Sequence, residues 1–490
     1  MDGRSIDAST GEKVAPEMVL EPRPTVPGPR LSYDRGIPVA VDGRPAAPIP
    51  AEVAVPRIRA FRALRYQPGV APDLSVVLSP PYDVISPEQQ QRLLARHPRN
   101  VVRLDLPETS ADEAPDERYR NAARTLAAWR SDGTLFKDAK AAVYACEQTY
   151  RVPGIGETRT QRGFFGRLGL EPLLAGSGVR PHERTMAGPR EDRYRLLRAT
   201  GVNTSPVVGL YEDPSGEAGR LLDIVAARPP DLETVDDDGV LTRLWTVPED
   251  GDPGSPATRL CEIAGRGAIT IADGHHRYET ALRYRDERRM SRSCEEDPPF
   301  DYLLALLLET TAQQLTVLPT HRVVRGLGAD VDRLGDEAES LFDVRTAERA
   351  ELAGWGTRDN GGSGRFGLWM RSGGYSLTAR REAFEPFLPE AGAAARALDV
   401  TLLGVALERL CAIDPDAVAG GRRIGYTKSA EEAIALVDAG TDGADAAFLL
   451  EPTPVESIIR VAADGDVLPQ KSTYFHPKPL TGLVINPHEW

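Results

Sequence analysis

The longest uninterrupted aliphatic run in this chain of 490 residues is Leu303 to Leu308, and it is only six residues long. A helix that crosses a bilayer needs about 20 consecutive apolar residues, so the sequence predicts no transmembrane helix and no membrane partner. The N-terminus begins Met-Asp-Gly-Arg with no apolar segment after it, so we expect no secretory signal and a cytoplasmic protein. The cores must therefore be built from short buried strands and amphipathic helices.

Charge and cysteine content exclude several classes of function. Acidic side chains outnumber basic ones by 73 to 59, which gives a formal net charge of -14. Bulk charge therefore offers no general attraction to phosphate backbones, and we expect no nucleic-acid partner. The four cysteines, at 146, 261, 294 and 411, form no CxxC pair, so neither a disulfide framework nor a cysteine-ligated zinc site is predicted. The sequence leaves the oligomeric state open.

The patterning predicts a tail and two folded parts. Residues 1–55 are rich in proline and alanine without sustained periodicity, so we expect a disordered tail. Strand and helix patterns then interleave irregularly, which favours an α+β fold with a mixed sheet over a doubly wound parallel one. We expect a main domain over 56–328, and a smaller C-terminal α/β lobe over 329–490 that ends in the loop QKSTYFHPK.

Three local patterns make specific structural predictions. Ser86 followed by proline and by Gln89 predicts a capped helix to about residue 96. The apolar residues of 101–106 predict a strand. The segment AITIADGHHRYETAL, residues 268–282, predicts a strand, a tight turn at Asp-Gly and a helix.

The DGHHR sequence carries the strongest chemical signal. Asp273 can cap the helix, and Gly274 lets a ligand approach the amides at the positive end of the helix dipole, where anions bind. His275, His276 and Arg277 add donors, and Arg277 suits forked contact with a phosphate or carboxylate. The alternative is a capped helix whose histidines only satisfy nearby carbonyls. A zinc site would need His182 or an acid from elsewhere, because neighbours on a helix point about 100° apart.

Three further segments supply candidate groups. Glu183, beside His182 in the proline-bounded loop RPHERT, suits a general base if burial raises its pKa, or else pairs with a neighbouring arginine. Asp83 in SPPYDVIS orients a substrate hydroxyl or a magnesium-bound water, or else caps a turn. Lys471 and Ser472 in QKST are candidate phosphate ligands.

Taken together, these segments make the chain similar to the bacterial and archaeal domain-of-unknown-function 1015 proteins. The matching segments extend over about 56–485 and are PPYDVIS (80–86), HPRNVVRLDLP (97–107), PHERT (181–185), ATGVNTSPV (199–207), IADGHHRYETAL (271–282), LPTHR (318–322) and LPQKSTYFHPK (468–478). More distantly, DGHHR after a strand resembles the phosphate-binding box of the ParB/sulfiredoxin superfamily, which includes free serine kinases. This resemblance implies a ParB/sulfiredoxin-like mixed-sheet core that binds nucleotides.

The resemblance implies a nucleotide-dependent phosphotransferase for a small hydroxylated or phosphorylated metabolite, with serine as the candidate. It implies ADP or ATP with Mg²⁺ as cofactors, without identifying metal ligands. Gly274, His276, Arg277, His182, Lys471, Ser472 and Asp83 would then hold the phosphates and the substrate, with Glu183, Asp273 and His275 as catalytic groups. Two alternatives stay open, which are a non-catalytic ParB-like nucleotide-binding regulator and a phosphatase or metal-dependent hydrolase that uses the same site.

Overall fold

The computed structural model describes residues 55–108, 114, 116–174, 176–183, 187–291, 296–311, 313, 315–357 and 364–488. The predicted tail lies outside these residues, apart from Val55. Residues 51–490 cluster as one compact unit, and the predicted domain boundary near residue 328 stays a prediction.

The described strands are between two and twelve residues long. In chain order they are β1 Ile58–Arg59, β2 Leu64–Tyr66, β3 Leu135–Lys137, β4 Ala142–Arg151, β5 Thr158–Gly169, β6 Val179–Arg180, β7 Val202–Asn203, β8 Val207–Tyr211, β9 Leu232–Val235, β10 Leu241–Pro248, β11 Ile269–Asp273, β12 Tyr302–Glu309, β13 Thr316–Leu318, β14 His321–Arg325, β15 Phe342–Ala347, β16 Arg365–Met370, β17 Gly373–Ala379, β18 Ile424–Thr427, β19 Ala444–Leu449, β20 Tyr474–His476 and β21 Asn486–Pro487.

The helices interleave irregularly with these strands. They are α1 Pro87–Arg96, α2 Val102–Asp105, α3 Glu117–Ser131, α4 Ala187–Thr200, α5 Glu217–Ala226, α6 Pro256–Ala264, α7 His275–Ser291, α8 Leu334–Glu337, α9 Arg349–Ala353, α10 Arg381–Phe384, α11 Ala393–Arg396, α12 Asp399–Cys411, α13 Pro415–Ala419, α14 Ala430–Ala439 and α15 Val455–Ala463. Among the described residues, no helix is both long enough and apolar enough to cross a membrane.

Two larger sheets organise the chain. The first has nine strands in the order β6-β11-β8-β12-β5-β4-β10-β9, with β1 paired to β5. It is mixed, because β11 runs parallel to β6 and β12 runs parallel to β8, whereas its other pairs are antiparallel. The second has six antiparallel strands in the order β15-β17-β16-β19-β14-β18. The predicted α+β fold with a mixed sheet is confirmed, and smaller sheets accompany the large one. The predicted C-terminal lobe over 329–490 stays a prediction, and the second sheet also includes β14, which precedes that range.

Strand β12 shows why the longest aliphatic run is buried on both sides. Its alternate residues Leu304, Leu306 and Leu308 belong to one core cluster, whereas Leu303 and Leu307 belong to another. A strand with both faces covered reads as a continuous apolar run rather than an alternating one. The large sheet is therefore covered by a hydrophobic core on each face at β12.

One predicted element is wrong. The segment 101–106 was expected to be a strand, but Val102–Asp105 is a short helix. The buried side chain of Asn100 is the physical reason: its Oδ1 accepts a hydrogen bond from the amide of Val102 at 3.0 Å, which starts a turn. Its Nδ2 donates to the carbonyls of Val76 and Leu78 at 2.8 and 3.0 Å and fixes that turn in place.

Candidate active site at the start of helix α7

The strand, tight turn and helix predicted over 268–282 are confirmed as β11, Gly274 and α7. Gly274 has φ +90°, a conformation that favours glycine. A Cβ at this position would lie 3.0 Å from Val207 Cγ1 and from Arg277 Nε. The turn therefore requires glycine, and it leaves the first-turn amides of α7 at the positive end of the helix dipole.

Asp273 is the centre of a buried ion cluster. Its carboxylate contacts Arg277 Nη2 at 2.5 Å on one side and the ammonium of Lys478 on the other. Burial opposes ionisation of this carboxyl, but the charges of Lys478 and Arg277 outweigh it and hold its pKa below the usual range. Arg277 also donates to the carbonyl of Pro206. The cluster therefore ties the start of α7 to the C-terminal loop and to the segment before β8.

Two histidines form the inner wall of the site. The backbone amide of His182 donates to His275 Nε2 at 3.2 Å, and the two rings are 4.7 Å apart. His182 contacts the carbonyl of Ile271 through Nδ1, and Thr473 Oγ1 through Nε2 at 2.8 Å. Burial lowers the pKa of His182 to about 4 and that of His275 well below its usual value. Both rings are therefore neutral near pH 7.

Glu183 lies against the QKST loop. Its Oε1 accepts from the amide of Lys471 at 3.0 Å, and its Oε2 accepts from the amide of Ser472 at 3.3 Å. The amide of Leu468 donates to the carbonyl of His182 at 2.7 Å and aligns the two segments. Burial raises the pKa of Glu183 to about 7, although the two amides and the Lys471 charge act in the opposite direction. This carboxyl group titrates where a general base is most effective.

An outer ring of charged groups surrounds His276. Burial lowers the pKa of His276 to about 4, and the positive charges of Lys471 and Arg190 act in the same direction, whereas Asp83 opposes them. Lys471 and Asp83 are exposed. The motifs PPYD, DGHHR and QKST, far apart along the chain, therefore meet around the start of α7.

All ten predicted site residues are described, and they divide into inner and outer groups. His182, Asp273 and His275 are buried and bonded within the protein, as is the Arg277 guanidinium. Ser472 is also buried, and its Oγ donates to the carbonyl of Pro469 at 2.5 Å. Glu183, Gly274 and His276 are half-buried, whereas Lys471 and Asp83 face outward. Their roles in binding and catalysis stay predictions.

Sequence reasoning missed Lys478 as a site residue. It selected Lys471 as the cation of the C-terminal loop, yet the ammonium in contact with Asp273 belongs to Lys478. The signal was present in the sequence, because only six lysines occur in the chain and these two lie within eight positions of each other.

The chain matches a known family over most of its length. The model of the family described as "Protein of unknown function (DUF1015)" matches residues 58–401. The chain belongs to this family. The family resemblance expected from the seven segments is thereby confirmed, and a search of the curated proteins finds no significant match.

Solved structures with partial likeness include a conserved hypothetical protein from Pyrococcus furiosus, which is 14% identical with a TM-score of 0.30 and covers 62% of this chain and 88% of that one. A free serine kinase in complex with AMP is 15% identical with a TM-score of 0.32, over 61% and 83% of the two chains. SbnI with a C-terminal truncation, from Staphylococcus aureus, is 10% identical with a TM-score of 0.31, over 62% and 82%. Likeness this low carries no argument about function.

Proposed function

We propose that the chain is a phosphotransferase that moves a phosphoryl group from a nucleotide to the hydroxyl of a small metabolite. The observation that carries the proposal is Glu183, a carboxyl group with a pKa of about 7. The backbone amides of Lys471 and Ser472 hold this carboxyl group, and the charge of Lys471 reaches the start of α7 at His276. Phosphoryl transfer needs mainly positioning, charge neutralisation and a group that accepts the hydroxyl proton.

The geometry favours Glu183 over the other two catalytic candidates as the proton acceptor. Asp273 is ion-paired on both sides, and its low pKa makes it a weak base at pH 7. His275 Nε2 already accepts the hydrogen bond of the His182 amide. We therefore assign Asp273 and His275 to positioning: they fix the turn at Gly274 and orient α7, whereas the Glu183 carboxylate accepts the substrate proton.

The phosphates would bind at the outer ring. The first-turn amides of α7 and the ring of His276 supply donors there, Lys471 supplies positive charge, and Asp83 suits a substrate hydroxyl. A bound ADP or ATP supplies the phosphoryl group. Within the described ranges, no group of three or more His, Cys, Asp or Glu side chains is arranged to hold a metal ion. Mg²⁺ that accompanies a nucleotide is usually held by one or two carboxylates together with phosphate oxygens and water. Serine as acceptor and a ParB/sulfiredoxin-like fold belong to this proposal, and the resemblance of the DGHHR box supports them.

The test is Glu183→Gln, with the exposed Glu212→Gln as a matched control. A thermal-shift screen with ADP, ATP, CTP and phosphoserine identifies ligands, and phosphorus NMR then follows turnover with serine. We expect Glu183→Gln to lower turnover by about 10²–10⁴, the usual contribution of a general base, while calorimetry gives unchanged nucleotide affinity. Parent-like turnover in Glu183→Gln would remove the base assignment.

A second candidate is a nucleotide-binding regulator without catalysis. The observation in its favour is that most inner-group side chains are already bonded within the protein, as in a rigid binding site. Nucleotide binding without phosphoryl transfer to any hydroxylated acceptor, in the parent and both variants, would favour this alternative.

A further inference from the structure

A cleft of about 540 Å³ lies beside the candidate site. Binding sites for small organic molecules have volumes of about 300–1,000 Å³. Its walls come from seven stretches of the chain, which are Pro80, Pro81 and Val84; Arg151, Pro153 and Gly154; Asp236, Asp238 and Val240; Leu318 and Pro319; Ala353–Thr357; Lys428–Glu432; and Tyr474, His476, Pro477, Lys478 and Leu480. The cleft is thus bordered by the loops before α1 and α14, and Lys478 forms a wall that it shares with the Asp273 cluster.

Two ammonium groups lie in this cleft near one aromatic ring. Lys428 Nζ is 4.1 Å and Lys478 Nζ is 4.6 Å from the centroid of the Tyr474 ring. Lys478 pairs with Asp273, which also pairs with Arg277. Lys428 is exposed and forms no ion pair with any described residue. Partial burial of its ammonium lowers its pKa, with Lys478 acting in the same direction and Asp238 and Glu432 opposing them. An anionic group that enters the cleft can pair with this exposed ammonium.

Helix α14 begins at the same place. Ser429 caps it by accepting a hydrogen bond from the amide of Glu432 at 3.2 Å. The amides of Ala430 and Glu431 belong to the first turn and have no partner within the helix, and both residues line the cleft. The positive end of this helix therefore adds to the charge of Lys428.

Trp355 lies in the wall of the cleft. It is only 5% exposed, and its Nε1 has no hydrogen-bond partner within the described part of the chain. A buried donor without an acceptor costs about 1–3 kcal/mol, so such groups are normally paired. Because this atom is enclosed, an acceptor on a bound molecule would pair it only after the indole ring turns toward the cleft.

The acidic residues of the cleft limit the charge of that molecule. Asp236 Oδ1 accepts from the amides of Asp238 and Val240 at 3.0 and 2.9 Å, and Glu432 accepts from the hydroxyl of Thr427. Asp238 and Glu431 stay exposed at the edge of the cleft. Their negative charges repel a polyanion more strongly than a molecule with one anionic group, because the repulsion grows with the charge of the ligand.

We propose that this cleft binds an organic acid with one anionic group and an apolar body. The anion contacts Lys428 and the first turn of α14, and the apolar body packs against Trp355 and the proline and leucine side chains of the walls. This site is separate from the proposed nucleotide site, and it stands whether or not the protein transfers phosphoryl groups.

The test measures binding by calorimetry with phenylacetate, indole-3-acetate and, as a polyanion, ADP. The variants are Lys428→Met, Trp355→Phe and Lys140→Met, the last being a control on an exposed lysine outside the cleft. We expect at least one of the two acids to bind the parent. We also expect its affinity to fall at least tenfold in Lys428→Met and about three- to tenfold in Trp355→Phe, with no change in Lys140→Met.

Two results would overturn this proposal. One is that neither acid binds the parent, or that Lys428→Met binds as the parent does while its melting temperature is unchanged. The other is that ADP binds more tightly than both acids and loses affinity in Lys428→Met, which would assign the cleft to a polyanion. Because the readout is binding and not turnover, failure here is distinguishable from failure of the phosphotransferase proposal, which rests on Glu183.

Discussion

The buried ion cluster around Asp273 should be sensitive to the loss of its single negative charge. In Asp273→Asn the side chains of Arg277 and Lys478, which are 10% and 12% exposed, stay buried without their counter-charge. Removing one partner of a buried ion pair costs about 3–5 kcal/mol, because the remaining charge is desolvated and uncompensated. We therefore expect a large loss of stability from an isosteric change.

The magnitude converts into a melting temperature. Unfolding entropy is about 2.1 cal/mol/K per residue, or about 0.9 kcal/mol/K for the unit of residues 51–490. A loss of about 3–5 kcal/mol thus lowers the melting temperature by about 3–5 °C. The control is Asp116→Asn, because Asp116 pairs with Arg195 on the surface, where the side chains of Asp116 and Arg195 are 56% and 44% exposed. Such surface pairs contribute about 0–1 kcal/mol, so the control should melt within about 1 °C of the parent.

The pH dependence gives a second test of the same cluster. The pKa of Asp273 is depressed, so its stabilisation is fully present above its usual pKa of 3.8 and is lost as the pH falls through the lower folded-state value. The difference in melting temperature between the parent and Asp273→Asn should therefore be constant from pH 5 to 8 and shrink below pH 4. A difference below about 1 °C at pH 7 would refute the buried cluster.

Two other changes test the surrounding structure. The pKa of His182 is lowered from 6.5 to about 4, so the stabilisation from its neutral ring is present above pH 6.5 and is lost as the pH falls to 4. The melting temperature of His182→Asn should therefore depend less on pH over this range than that of the parent. An identical pH dependence in the two proteins would contradict a neutral buried ring. Gly274→Ala should lower the free energy of unfolding by about 1–2 kcal/mol, because φ at this position is +90°. Gly219→Ala is the control, because Gly219 lies inside α5 with open space around it, and this change should be neutral or stabilising. A lower melting temperature for Gly219→Ala than for Gly274→Ala would contradict the strained turn.

Local structure was predictable where one chemical signal dominated. Ser86 caps α1 as expected, because its Oγ accepts from the amide of Gln89 at 3.2 Å. The Asp-Gly pair placed the turn between β11 and α7 because only glycine adopts that backbone conformation without strain. The strand predicted over 101–106 was wrong because an apolar run this short suits a strand or a helix equally well. The helix depends on the side chain of Asn100, which bonds to carbonyls more than 20 positions away.

The composition of the site was predictable, but its internal pairing was not. The sequence indicated donors and acids at 182–183, 273–277 and 471–472, and these segments do meet. It could not show that Glu183 faces the Lys471 amide, or that Lys478 is the lysine that pairs with Asp273. Those contacts join positions about 200 to 290 apart along the chain, and they depend on how the C-terminal loop folds back over the first sheet.

The pH dependence of turnover tests the central assignment most directly. If Glu183 accepts the substrate proton, the rate of phosphoryl transfer followed by phosphorus NMR rises with pH through a midpoint near 7, where its raised pKa places the carboxylate form. In Glu183→Gln this rising limb should vanish along with most of the activity, while nucleotide affinity is retained. A rate that does not change between pH 6 and 8, or a rising limb that survives in Glu183→Gln, would contradict the account.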